Sequence, residues 1–205
     1  MNKACKTGCL GMVLRRATSL VFVVSVLCPV SAYAHVGAGT TSGIMDGLTH
    51  PIAGLDHLCA MLAVGLWASQ CRGRVRWLAP LTFVVVMAIG GMFGMAGVAI
   101  PLAERGVAAS VLVLGVLVTA AVRLPIVASV LLIGLFALFH GHTHGVEMPA
   151  TASGVLYGLG FVLATAMLHV GGFALGRLVE RHGRKRLVQY AGGVVSVFGM
   201  YLCLT

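Results

Sequence analysis

Histidine and carboxylate side chains are scarce in this 205-residue chain, 8 and 5 respectively, and most of them fall in two short stretches. The first holds Asp46, His50, Asp56 and His57. The second is Phe139-His140-Gly141-His142-Thr143-His144-Gly145-Val146-Glu147. Imidazole with carboxylate is a ligand set for borderline divalent ions such as nickel, cobalt, zinc or iron. The neutral imidazole is the form that binds, so such a site weakens as its histidines protonate in acid. His140, His144 and Glu147 follow i, i+4, i+7 and line one stripe if their helix runs on to Pro149. If residues 44–57 form one helix, His50 and His57 lie within about 20° of each other on its surface. If Pro51 instead opens the helix as its first residue, His50 becomes the cap and that alignment weakens. On the continuous helix Asp56 points elsewhere, placed to orient an imidazole or to ligate from a neighbouring helix.

Other candidates stand more alone. His169 has no ionisable neighbour in sequence; it reads equally as an inner relay and as a core histidine bonded to a backbone carbonyl. His182 sits among Arg181, Arg184, Lys185 and Arg186 and reads as a solvated loop residue. Cys59 offers a soft ligand or, as buried cysteines usually do, a small apolar side chain. The 10 methionines form no tight cluster in sequence, which gives little support to a thioether copper pathway.

The segments that must position these groups are apolar. Hydrophobic residues make up 59% of the chain and charged ones 9%, with a mean hydropathy of +1.02. Soluble domains carry about a quarter charged residues. A soluble globular enzyme, a disordered tail and a fibrous repeat are therefore excluded, leaving an all-α integral membrane protein. Lys3, Lys6, Arg15 and Arg16, an apolar run and Ser31-Ala32-Tyr33-Ala34 have the grammar of a signal peptide cleaved after Ala34. Residues 35–205 then form a single polytopic membrane domain. Its apolar segments, near 51–70, 77–100, 107–122, 124–139, 151–176 and 187–204, predict six transmembrane helices. The third and fourth are short enough to read instead as a helical hairpin or as half-spans. Gly90/Gly94, Gly154/Gly158 and Gly172/Gly176 are spaced for close helix contacts. The cysteines offer no disulfide framework.

The net charge of +9 belongs to short loops and the leader rather than to one face, which argues topology and not nucleic-acid binding. With the mature N-terminus periplasmic, every Lys and Arg except Arg105 falls on the cytoplasmic side. Both histidine stretches then lie at the outer ends of spans one and four. Buried ionisable groups are costly in hydrocarbon, so their convergence from two distant segments points to a cation site. The bland alternative is a structural hydrogen-bond network.

At these motifs the chain resembles the HupE/UreJ family of nickel/cobalt permeases. The resemblance rests on His50-Pro51-Ile52-Ala53-Gly54-Leu55-Asp56-His57, followed by Ala60-Met61 and Val64-Gly65-Leu66-Trp67-Ala68. The second match is Phe139-His140-Gly141 with His144-Gly145-Val146-Glu147 and Pro149, and His169 also looks like a family position. Thr143 departs from the small apolar residue expected there, and His142 is an extra imidazole. The resemblance implies a secondary permease of the bacterial inner membrane, with both mature termini periplasmic. Its substrate would be nickel, or cobalt, for hydrogenase or urease maturation, and no cofactor would be permanently bound. The ligands it implies are His50, Asp56, His57, His140, His144, Glu147 and His169. No phosphate-binding Gly-x-x-x-x-Gly-Lys-Ser/Thr loop occurs, so no ATPase is built in. The competing classes are a membrane metalloenzyme, which lacks a His-Glu-x-x-His motif and an evident nucleophile, and a metal sensor or delivery subunit, for which the loops leave little docking room.

Overall fold

The structure, a computed structural model, describes residues 43–150 and 152–205. The expected leader and His35 lie outside them. Seven helices and no strand occur among the described residues: α1 (Gly43–Ala53), α2 (Leu55–Gln70), α3 (Val75–Met95), α4 (Ala103–Thr119), α5 (Ile126–Val146), α6 (Gly154–Arg181) and α7 (Lys185–Leu204). The principal pairings are α3 on α5, α4 on α7, and both α1 and α2 on α6.

The first expected span is not one helix. Pro51 lies inside α1 rather than at a helix start, and the chain breaks three residues later, at Gly54. There α1 and α2 meet at 82°. Proline lacks the N–H that would bond one turn back, so α1 is weakened just before the break. The helix from His50 to His57 assumed for their alignment is therefore not formed, and His50 is not a cap. Four helices, α3, α5, α6 and α7, are long and apolar enough to cross a bilayer, and the bent α1–α2 pair would make a fifth. α4 is shorter, at 17 residues.

Side chains are sorted as a bilayer requires. Val127, Leu131, Val155, Met167, Val170 and Val197 are among the large apolar side chains facing outward. So much exposed apolar surface would be untenable in water. Inside, α2 is buried almost all round, with Ala60, Met61, Val64 and Trp67 meeting Phe83 and Met87 of α3, Val111 and Leu114 of α4, and Ile133 of α5. Helices α3 and α5 touch backbone to backbone: a Cβ on Gly141 would strike the Met87 carbonyl, and one on Gly145 the Gly91 carbonyl. Gly90 and Gly94 lie on the same seam, and Gly172 and Gly176 serve the α2–α6 contact, as their spacing predicts. Gly158 does not; it faces open space.

Three helices end alike. After α3, α4 and α6 the chain turns left-handed at Gly97, Ala121 and Gly183, and N–H groups beyond each turn bond back to the last carbonyls. This is the Schellman arrangement, normally left to glycine. At Ala121 a methyl-bearing residue takes it, with φ 49°. The same end of α4 is capped from α2: the Trp67 indole N–H donates to Val122 O at 2.8 Å and the Gln70 amide to Val118 O at 3.0 Å. Basic residues 72–76, 123 and 177–186 belong to the α2–α3, α4–α5 and α6–α7 connections, and the α2–α4 capping bonds hold the first two at one end of the bundle. The histidine motifs lie at the other.

Candidate metal site

Helices α1, α2 and α5 deliver the ligand-type side chains, and α4 and α6 support them. At the break, an added Cβ on Gly54 would stand 2.9 Å from Asp56 Oδ1 and 3.0 Å from His57 Nδ1. A side chain here would crowd the pair as it folds back over the start of α2. Asp56 Oδ1 accepts both the His57 backbone N–H, at 2.9 Å, and the ring Nδ1–H, at 2.7 Å. That bond fixes the neutral tautomer and leaves His57 Nε2 lone-paired; this atom is buried with no partner.

His140 is set in the same way from α4. Ser110 Oγ donates to the Val107 carbonyl at 2.6 Å, so at 2.7 Å from His140 it accepts the Nε2–H. His140 Nδ1 is then the free lone pair, again buried and unpartnered. His144 lies one turn further along α5, with its ring 3.9 Å from that of His57 and 4.1 Å from Phe161 on α6. His57 and His140 rings meet edge to face at 5.0 Å. Ligand atoms of His57, His140 and His144 lie within 4.8 Å of one another, close enough to hold one metal ion.

A second group stands at the rim. His50 Nε2 is 3.0 Å from Glu147 Oε2, and His144 Nδ1 is 3.8 Å from the same oxygen. His50, His144 and Glu147 also fall within 4.8 Å of one another. Burial runs from 45% exposed at Glu147 through 23% at His50 to 2% at His144. His144 belongs to both groups. The Tyr157 ring of α6 stands 5.9 Å from His50, and its hydroxyl donates to His144 O at 3.4 Å.

Five of the seven residues singled out in the sequence therefore stand in the two ligand groups: His50, His57, His140, His144 and Glu147. Asp56 reaches the cluster through His57. His169 lies outside both groups, buried on α6, its ring 5.1 Å from Phe83. His142 is turned away from the cluster, and its Nε2–H donates to Val98 O at 2.7 Å, tying α5 to the α3–α4 loop. Thr143 bonds its own helix at Phe139 O. Cys59, Cys71 and Cys203 are free thiols. Ser110 and Tyr157 were not visible as site residues: each is a lone polar group in an apolar run, and only the tertiary fold brings it to a histidine.

Fold and site together define a polytopic helical membrane protein with two linked histidine-bearing groups, one buried and one at the rim, whose ligand atoms lie close enough to hold a metal ion. A family model described as HupE / UreJ protein matches residues 22–202. The chain is 42% identical over 174 residues to Protein HupE of Rhizobium leguminosarum bv. viciae, an alignment covering 85% of this chain and 91% of that protein. This chain belongs to the HupE/UreJ family. No solved structure matches it.

Proposed function

We propose that the protein is a secondary permease that takes up nickel, with cobalt as a second substrate, across the inner membrane in support of hydrogenase or urease maturation. The observation that carries this reading is the sharing of His144 between a half-exposed ligand group and a buried one. A fixed ligand common to both lets a dication change its other partners without passing through a ligand-free state. Hydrated metal meets Glu147 and His50, exchanges water for imidazole at His144, and then gains His57 Nε2 and His140 Nδ1. The inner group ligates through imidazole alone, the Asp56 carboxylate standing behind His57, so it lacks the direct carboxylate ligand of the rim and can release the ion inward. Release matters as much as capture in a conducting site.

The membrane potential, acting on two positive charges, supplies an inward force of about 4–5 kcal/mol per 100 mV. Under this reading the leader is removed after Ala34, the mature domain is 35–205 and crosses six times, and the basic connections are cytoplasmic. Both mature termini are then periplasmic. The bound metal is cargo, and the chain catalyses no reaction.

The test is radioactive nickel uptake into proteoliposomes and metal-starved cells, with cobalt competition and matched membrane expression. Uptake by the wild type, lost in His57→Ala and His140→Ala, is expected. Metal-dependent uptake that survives both substitutions sinks the reading.

A further inference from the structure

Thr165 differs from the other buried serine and threonine hydroxyls. Ser69, Ser110, Ser129 and Thr143 each donate to a carbonyl three or four residues back in the chain, the ordinary resting place for a hydroxyl in an apolar helix. Thr165 turns its Oγ1 across the helix interface instead. It meets the Met61 thioether of α2 at 3.4 Å and the Met87 thioether of α3 at 3.5 Å. All three residues are fully buried. Thioether sulfur is a weak acceptor, so hydrogen bonding alone gives little reason to prefer this arrangement. Its result is one oxygen and two sulfurs from three helices gathered about a point.

That point lies on a continuous line. Helix α6 carries Tyr157, Phe161, Thr165 and His169 at four-residue intervals, all buried on one face. In turn they meet His50, His144, the two thioethers, and Phe83. Met87 and His144 both line one half-open apolar groove between α3, α5 and α6. One turn beyond Thr165, His169 is 2% exposed and neither ring nitrogen has a hydrogen-bond partner. Two unsatisfied nitrogens so deeply buried are costly unless something else comes to them.

We infer that Met61, Met87 and Thr165, with His169 one turn deeper, form a second cation station that nickel-class ions enter after leaving the histidine cluster and that hard dications do not. The station rests on the permease reading above. Imidazole and carboxylate at the rim also accept manganese, whereas thioether sulfur favours softer ions and gives magnesium or manganese no substitute for oxygen ligands. The station carries no charge of its own, so a dication is held there only weakly and moves on. The two methionines lie far apart in sequence, and only the α2–α3–α6 junction unites them.

The experiment compares nickel and manganese uptake in proteoliposomes for the wild type, a Met61→Leu/Met87→Leu variant, Thr165→Val and Thr165→Ser. Leucine conserves the methionine volume closely. The double variant and Thr165→Val are expected to lower the nickel-to-manganese uptake ratio about tenfold, while equilibrium nickel binding in detergent stays within about twofold. Thr165→Ser, which keeps the oxygen, is expected to match the wild type. An unchanged ratio in the first two variants overturns the station. So does a loss of uptake accompanied by an equal loss of nickel binding in all three, which would mark a packing role. Wild-type liposomes that take up no more nickel than empty ones would overturn the permease reading itself, whatever the variants do.

Discussion

Asp56 and His57 are neighbours in sequence joined by two hydrogen bonds, the carboxylate Oδ1 accepting both the backbone N–H at 2.9 Å and the ring Nδ1–H at 2.7 Å. The pair turns a flexible imidazole into a fixed one, its ring beside those of His140 and His144 and its Nε2 buried without a partner. Replacing Asp56 with asparagine keeps the shape and removes the charge that holds the proton on Nδ1. Nickel affinity, read by equilibrium binding in detergent, is expected to fall about 10–100-fold, the range typical of groups that orient metal-bound histidines. His57→Ala, which removes the ligand itself, should exceed that loss.

Ser110 holds the corresponding place for His140. Its hydroxyl proton goes to Val107 O, so it can only accept from the imidazole. Ser110→Ala frees the ring to flip or change tautomer, and a nickel-affinity loss of about tenfold is expected from the same binding measurement. Thermal stability in detergent should fall as well, by about 1–3 kcal/mol, because the buried His140 Nε2–H is left without an acceptor.

Uptake should also follow the histidine proton. Protonated imidazole carries no lone pair for metal, so binding is complete where the rings are neutral and is lost as pH falls through their titration. Reference imidazole titrates near pH 6.5. Initial nickel uptake at fixed membrane potential is therefore expected to fall in acid, once the ligand rings protonate, with a slope steeper than a single proton. A profile that stays flat into strong acid, with the protein still folded, would count against imidazole ligation.

Backbone geometry gives a pair of opposite expectations. Gly54→Ala drives a Cβ against Asp56 Oδ1 and His57 Nδ1, so metal affinity should fall even though the substituted residue carries no ligand. Ala121→Gly relieves a left-handed residue at the end of α4 and should stabilise the protein by about 1 kcal/mol. A thermal-melting series in one detergent measures the second, and nickel titration of the same samples measures the first.

What the sequence made legible was whatever obeys a helical period. His140, His144 and Glu147 keep their places because α5 is regular to Val146 and their spacing needs nothing beyond one helix. The all-helical membrane character follows just as directly from apolar runs. The α1–α2 break escaped because Pro51 has the look of a helix start, while the determining contact is the fold-back of Asp56 and His57 over Gly54. Ser110, Tyr157 and Thr165 escaped for a related reason. Each is an isolated polar residue in an apolar run, and its partner arrives from another helix. The Met61–Met87 convergence was invisible because no period relates residues on different helices.

The bend at Gly54 also bears on how the protein is made. With 11 residues, α1 is about 16 Å long, roughly half of a bilayer's hydrocarbon thickness. It cannot enter the membrane as an independent unit. What it lies against is α6, where Gly160 meets the Ile44 carbonyl and Gly47 meets that of Tyr157. During synthesis that surface does not exist until most of the chain has left the ribosome. His50 therefore waits at the membrane edge, and the half-exposed ligand group closes only when the sixth helix docks. A chain truncated before α6 would keep the residues of the buried group but lack the surface that brings His50 to His144 and Glu147.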